Sequence, residues 1–453
     1  MKMALSLLRL IVLVIMGMAV NAAFSGMTAA QITPTDGIVY VTPDGGGNGS
    51  GWDSPTSDLQ GAINATGVPG TLKVFVAIGN YNAPANGFRM KANVAIYGGF
   101  NPLSGITDLT HNRMLPNRGP NEGSVLNGQN TGRVIWNNYT SGSPLANDPQ
   151  AILDGFTIKN GVNNAEGGGG IYNFYASATF SNLVIKENKA EYQGAGVLNE
   201  NCTPVFTNVI IRNNELSILP GTCRGGGMAN INASPKLVNV AITGNKGSSA
   251  GNSISYGAGM YNNHSYPLLI NVTIADNLQA TSGGGMYNAD ISWPEIYNSI
   301  IWGNQQNGST NASGADIEGN NSAITLKNSI TQGFSTGNGG DNNSENTDPR
   351  FAPGGYTLLP VSPAINKGNN SFYDGLDETT RDLLGNDRVY RFFGGGDIDM
   401  GAYEAQNSVP IAHNGGTVYV KPGATGKKDG SSWNDATADL QSAIDGAAFS
   451  GFL

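Results

Sequence analysis

The chain has 453 residues, 33 of them acidic and 24 basic, for a formal net charge of −9. It is long enough for a large core. The negative balance makes nucleic acid a poor partner, and likewise a polyanionic sugar bound without a metal. Sixty-five glycines and many asparagines sit between apolar, β-branched runs, a pattern of turns in a repetitive β fold rather than of disorder.

Residues 1–30 read as a secretory signal. Lys2 and Arg9 precede the apolar run Leu10 to Val20, and Thr28-Ala29-Ala30 offers a cleavage site before Gln31, with a cut after Ala22 as the alternative. No Cys follows the run, so a lipid anchor is not expected, and no later segment is long and apolar enough to cross a bilayer as a helix. Removal of Lys2 and Arg9 leaves 22 basic against 33 acidic residues, a formal charge of −11.

Leu59, Ala62 and Ile63 stand at helical spacing after Pro55 and Asp58, which predicts a short amphipathic helix over the first turn of the fold. Leu72 to Ile78 and Val94 to Tyr97 are β-rich, residues 101–124 read as a side loop, and Leu126, Val134-Ile135-Trp136 and Phe156-Thr157-Ile158 continue the β pattern.

Five related segments follow: N-L-V-I-K-E-N from Asn182, N-V-I-I-R-N-N from Asn208, N-V-A-I-T-G-N from Asn239, N-V-T-I-A-D-N from Asn271 and N-S-I-I-W-G-N from Asn298. Their spacings of 26, 31, 32 and 27 residues mark a solenoid. Ile185, Ile211, Ile242, Ile274 and Ile301 should form one interior file, and Phe180, Phe206, Leu237, Leu269 and Ile296 a second. The alternation breaks near the first Asn, which predicts a bend or bulge there. The closing asparagines Asn188, Asn214, Asn245, Asn277 and Asn304 are expected to point inward and bond to backbone and to one another; the functional alternative is a row of glycan-contacting amides.

Between these segments recurs a glycine motif: G-G-G-G-I-Y-N at 167–173, G-A-G-V-L-N at 194–199, G-G-G-M-A-N at 225–230, G-A-G-M-Y-N at 257–262 and G-G-G-M-Y-N at 283–288. No helix follows it, so it is read as tight corners rather than a phosphate cradle. Ile171, Val197, Met228, Met260 and Met286 would then form a third interior file. The two cysteines, Cys202 and Cys223, fall at different points of the circuit; a disulfide and two separate buried thiols both fit the spacing. Residues 333–348 read as a flexible excursion.

Near the C-terminus an early pattern returns. Val39-Tyr40-Val41, Trp52, Asp58-Leu59-Gln60 and Ala62-Ile63 reappear as Val418-Tyr419-Val420, Trp433, Asp439-Leu440-Gln441 and Ala443-Ile444. Residues 406–453 are accordingly expected to be a linker and the start of a second, truncated unit, with a small docking tail as the alternative.

Taken in order, Val39-Tyr40-Val41, Trp52, Val74-Phe75-Val76-Ala77, Gly79-Asn80-Tyr81 and Ile96-Tyr97-Gly98-Gly99-Phe100, then the repeats, then Ser362-Pro363-Ala364-Ile365-Asn366, Asp382-Leu383, Gly385, Arg388 and Asp397-Ile398-Asp399-Met400-Gly401-Ala402-Tyr403-Glu404, resemble secreted bacterial right-handed parallel β-helix proteins of pectate-lyase-like architecture. More narrowly the chain looks like large surface proteins related to polymorphic outer-membrane and choice-of-anchor proteins. The resemblance covers about 36–405. It implies an all-β right-handed parallel β-helix over 31–405, with an N-terminal cap at 36–66 carrying the short helix and a closing motif at 360–404. It also implies a secreted, cell-surface or outer-membrane location reached through a secretion apparatus. Members mostly lack an assigned activity; some look like adhesins, and distant relatives are polysaccharide lyases or hydrolases.

Candidate sites are sparse. Lys186 and Arg212 stack at one repeat position, and with Glu187 they form the best catalytic alternative. Glu187 and Asp276 also share a position but lie three turns apart, roughly 14 Å, too far for a hydrolytic pair. Asp397, Asp399 and Glu404 are an alternative Ca²⁺ set, though Ile398 and Met400 alternate with them as in a final half-buried strand, and the neighbouring acids would pair with Arg381 and Arg388 in a solvated cap. Otherwise no cofactor is expected. Tyr172, Tyr261, Tyr287, Trp293 and Trp302 are candidate sugar-stacking platforms if exposed. The expectation is a structural or adhesin-like protein that recognises a polysaccharide or host-surface ligand without catalysis, with a β-helix lyase or glycoside hydrolase as the alternative.

Overall fold

The computed structural model describes residues 31–65, 70–146, 151–216, 221–248, 253–311, 314–319, 322–334, 342–390, 396–406, 417–427, 429–438, 440 and 443–444. Residues 1–30, where a signal is expected, lie outside them. Among the described residues no helix is long and apolar enough to cross a membrane.

The chain coils as a parallel β-helix. One long sheet runs from Ile38–Val41 through Leu72–Ala77, Val94–Phe100, Ile152–Asp154, Thr179–Lys186, Val205–Arg212, Lys236–Thr243, Leu268–Ala275, Ile300–Trp302 and Ile330–Thr331 to Ser344–Glu345. A second stacks Ile135–Asn138, Ile171–Phe174, Val197–Glu200, Met228–Ile231, Met260–Asn263, Met286–Ala289 and Ile317–Gly319. The repeats pair in parallel and in register: Ile185 on Ile211, Ile211 on Ile242, Ile242 on Ile274 and Ile274 on Ile301. Those five isoleucines are fully buried in one continuous core, as are Phe180, Phe206, Leu237, Leu269 and Ile296, and the file from Ile171 to Met286. Each coil alone has little interior; the stack encloses all three files.

The break in alternation is a left-handed corner. Asn182, Asn208, Asn239, Asn271, Asn298 and Asn328 have φ between 47° and 56°. Asn tolerates that conformation better than other Cβ-bearing residues, and the strand bends there without an inserted residue.

The closing asparagines do point inward. Asn214 Nδ2 donates to the carbonyl of Ile185 (3.0 Å) and to Asn245 Oδ1 (2.9 Å), while its Oδ1 accepts from the amide and Nδ2 of Asn188 (3.1 and 3.0 Å). All four bonding capacities of the amide are used. A second buried ladder, missed in the sequence, runs Asn137, Asn173, Asn199, Asn230, Asn262, Asn288, with links of 2.8–2.9 Å. The glycine motif follows from the first ladder. A Cβ on Gly196 would stand 2.5 Å from the carbonyl oxygen of Gly227 and 2.9 Å from Asn214 Nδ2, so only hydrogen fits.

The N-terminal helix, Leu59–Asn64, forms as expected, with Asp58 Oδ1 accepting from the Gly61 amide (2.7 Å) and Leu59, Ala62 and Ile63 buried on the first coil. Its returning copy takes the same local form: Tyr419 N donates to Gly430 O, Thr437 N to Tyr419 O and Lys421 N to Thr437 O, matching Tyr40 to Gly49, Thr56 to Tyr40 and Thr42 to Thr56. Tyr419 and Trp433 meet edge to face at 5.2 Å, as Tyr40 and Trp52 do at 5.0 Å. Here, however, Leu440 is 61% exposed, where its counterpart Leu59 is 4% exposed.

Three expectations are corrected. The closing motif lies along the side of the helix, against the left-handed asparagine corner. Asn239 Nδ2 donates to Arg381 O, Asn271 Nδ2 to Asp399 O, Asn298 Nδ2 to Asn369 O and Asn328 Nδ2 to Lys367 O, all at 2.7–3.0 Å. Corner amides with free side-chain donors provide an edge on which this strap docks. The stretch holding Ile398 and Met400 is irregular, not a strand. Arg388 is not solvated but fully buried; its Nη2 donates to the carbonyls of Asp399 and Gly401 (both 2.9 Å) and stands 3.6 Å from Glu404 Oε2. Arg381 does pair at the surface, with Asp387. The side loop expected over 101–124 is present up to Ser124, and it is tied down: Arg113 pairs with Asp154 (2.5 Å), and Asn117 Nδ2 donates to Leu383 O in the strap (2.7 Å).

Candidate functional site

The second sheet presents its alternate residues outward. Trp136, Tyr172, Leu198, Ala229, Tyr261, Tyr287 and Glu318 are successive partners in that outer file. Inward-facing Asn173 and outward-facing Tyr172 differ by one position, so the ladder that rigidifies the interior also fixes the spacing of the aromatic wall. Tyr261 and Tyr287 stack with rings 6.0 Å apart and parallel to within 1°.

Charged groups close over this wall. The Arg133 guanidinium lies 4.8 Å from the Tyr172 ring and 5.8 Å from Trp136, and that of Arg224 5.6 Å from Tyr261. Arg133 also pairs with Glu166 (2.9 Å), and the Tyr172 hydroxyl donates to Glu200 Oε2 (2.7 Å). Burial, reinforced by that bond to Glu200, pushes the Tyr172 phenol upward; burial does the same for Tyr261. Glu166, Tyr172, Tyr192, Gln193, Glu200 and Arg224 ring an open cavity of about 400 Å³.

The expected stacking residues therefore divide. Tyr172 and Tyr261 are buried at 6% and 5% exposure, so they form the wall rather than open platforms. Tyr287 is half-buried in the same file. Trp293 is 50% exposed and meets Tyr266, 47% exposed, edge to face at 5.5 Å, making an open aromatic corner beside the wall. Trp302 belongs to the other sheet, half-buried against the strap cluster, and does not join. Sequence reasoning missed Trp136, Arg133, Arg224 and Glu200; the alternation Ile135-Trp136-Asn137 beside Ile171-Tyr172-Asn173 was the signal for the first.

The residues of the catalytic alternative do lie together, with Lys186 Nζ 3.5 Å from Glu187 Oε1 and beside Arg212, but the lysine is already paired. Lys186 does stand in register between Lys159 and Arg212. Its ammonium already meets Glu122 Oε1 at 2.6 Å, and Lys159 meets Oε2 at 2.5 Å. Burial works to raise the Glu122 carboxyl, but the two lysines outweigh it and hold it below the usual range. Glu187 and Asp276 occupy a second left-handed corner, φ 56° and 53°, shared with Asn213, Gly244 and Gly303. Asp276 Oδ2 accepts from the hydroxyl of Tyr356, which precedes the strap (3.1 Å).

The Ca²⁺ set does not converge. Asp397 is exposed, whereas Asp399 and Glu404 are buried. Asp399 accepts the amides of Asn366 and Ala405 (both 2.7 Å), and Glu404 those of Tyr390 (3.2 Å) and Asp399 (3.0 Å). Burial raises both carboxyls, and Arg388 supplies the counter-charge. These are the bonds of a structural knot in the strap. Cys202 and Cys223 are separate free thiols, both buried; burial pushes Cys202 up to about 12 and raises Cys223 as well, which leaves both unreactive.

No protein family and no curated protein matches the chain. Among solved structures it is similar to the pectate lyase Pel9A, at 14% identity and a TM-score of 0.41, over 84% of this chain and 98% of that one. The class defined here is that of the parallel β-helix repeat proteins, and the chain's own in-register sheets establish it.

Proposed function

We propose that this is a secreted or bacterial cell-surface recognition protein that holds a glycan along its aromatic wall without cleaving it. On this reading residues 1–30 direct export, and the chain is a relative of the large outer-membrane and choice-of-anchor surface proteins. The observation that carries the proposal is the outer file of the second sheet: two aromatic pairs, Trp136 with Tyr172 and Tyr261 with Tyr287, separated by Leu198 and Ala229 and flanked by guanidinium and carboxylate groups, with the exposed Tyr266–Trp293 pair in the turns that follow the strands. Sugars present apolar faces and rims of hydroxyls, which such a surface complements. The acids at the wall are already engaged, Glu166 by Arg133 and Glu200 by Tyr172.

Affinity electrophoresis of the purified chain through gels containing pectin, alginate, chondroitin or neutral plant glycans tests it. At least one should retard the protein, and Tyr287→Ala with Trp293→Ala should restore its mobility. Retardation that survives both substitutions would remove the wall from the account.

One observation favours a second reading, hydrolysis: Glu166 and Glu200 line the same cavity, and two carboxyl groups across one sugar site are the hydrolytic arrangement. Release of reducing ends that disappears in Glu200→Gln would establish it.

A further inference from the structure

The aromatic file has a charged beginning. Residues 87–91 run ahead of the second sheet and join it through one isolated bridge: Phe88 bridges Ile135 in parallel, Phe88 N donates to Val134 O (2.8 Å), and Trp136 N donates to Phe88 O (2.9 Å). Alternation turns Phe88 and Met90 inward, at 6% and 2% exposure, and leaves Arg89 and Lys91 outward. Arg89 thus precedes Trp136 in the outer file, whose far end is Glu318. At ~4.8 Å per coil the file is roughly 34 Å long, cationic at one end and acidic at the other.

The cationic end is a formed cleft. Gln60, Asn64, Asn86, Arg89, Lys91 and Trp136 are among the walls of an open cavity of about 570 Å³. A second cavity, of about 310 Å³, shares Asn86 and Trp136 and adds Arg133. Among the described residues no acid lines either one, in a chain with an excess of acids. Arg89 is held in place from three sides. Its backbone exchanges bonds with the Gln60 amide (2.7 and 3.1 Å), its guanidinium donates to Asn138 O, and it lies 4.4 Å over the Tyr139 ring. Among the described residues Lys91 Nζ bonds to Asn64 O alone, at 3.4 Å. On the far side, Glu166 offsets Arg133. The Trp136 indole N–H is buried and has no hydrogen-bond partner among the described residues.

We propose that this cleft binds an anionic substituent of the glycan, a carboxylate or a sulfate ester, and so sets the direction in which the chain lies on the wall. Planar guanidinium and ammonium groups beside amides and an indole are the chemistry that recognises an acidic sugar. The cations come from the protein, so binding needs no metal ion. This is a local departure from the overall charge, which disfavours polyanions elsewhere on the surface. The inference rests on the aromatic wall being a glycan site.

The test is titration of the full chain with oligomers of a uronate glycan, a sulfated glycan and a neutral galactan, in the presence of a chelator and at two salt concentrations. One or both acidic glycans should bind more tightly than the neutral one, with an affinity that falls as salt rises. Whichever of the two binds identifies the substituent. The double variant Arg89→Gln/Lys91→Gln should lose roughly tenfold in affinity for the acidic glycan and nothing for the neutral one, and Arg89→Lys/Lys91→Arg should retain most of it. Neutral binding, with an unchanged melting curve, certifies the fold of the variants. Equal binding of acidic and neutral glycans, or a double variant with unchanged affinity, would overturn the cleft while leaving the wall intact. No binding to any glycan would overturn both.

Discussion

Asn245 shows how much one residue carries in this fold. Its amide donates to Ile211 O (2.9 Å) and Asn277 Oδ1 (3.0 Å) and accepts from the amide and side chain of Asn214 (3.1 and 2.9 Å), all without water access. Asn245→Ala would strand several buried polar groups at once. We expect a loss of roughly 3 kcal/mol, read as a lower urea midpoint at unchanged slope. Asp316 ends the same ladder. Its Oδ1 accepts from Asn304 Nδ2 (2.8 Å) and its Oδ2 from the Gln332 amide (2.7 Å), and burial pushes its carboxyl up to about 8. The folded chain keeps this proton where the unfolded chain, with a carboxyl near pH 4, has released it. Stability from this group is therefore present at low pH and declines as pH rises from about 4 to about 8. Asp316→Asn removes the titrating group and should flatten that slope, at a cost in stability at low pH because its NH2 must face a donor, either Asn304 Nδ2 or the Gln332 amide; thermal melts of the two proteins across this range would show it. The ladder residues were legible because they recur. Arg388 was not, since its burial depends on a strap whose partners lie far away in the chain.

At the scale of elements, the strap is the least predictable part of the molecule. Residues 362–405 carry no periodic pattern, and their docking surface is built from asparagines 39 to 142 positions earlier. The sequence marked those asparagines as a break in alternation but not as left-handed corners with donors to spare. Asn271→Gly preserves the corner, since glycine accepts φ 54° without strain, and removes the donors to Asp399 O and Gly401 O (2.7 and 3.3 Å). We expect faster amide exchange across 398–402 with little change in the coils beneath. Asn271→Ala should show the same loosening plus about 1 kcal/mol of strain in the coil. Equal protection in wild type and Asn271→Gly would mean that apolar contacts alone, such as Met400 and Ile365 on Ile300 and Ile330, hold the strap.

For the whole molecule, the coil was readable from spacing alone, because stacking repeats every 26 to 32 residues forces like residues into files. The functional face was only half readable. Tyr172, Tyr261 and Tyr287 do share a file, but their exposure is set by Arg133, Arg224 and Glu200 on neighbouring coils, which no single repeat reveals. The outer wall has rings, guanidinium groups and partnered acids, so the account predicts capture of a glycan with its backbone intact. The most direct measurement is the chain-length distribution of a bound glycan recovered after prolonged incubation with stoichiometric protein. An unshortened distribution, carrying no new reducing or unsaturated ends, is the predicted result; progressive shortening by the wild-type chain would contradict it.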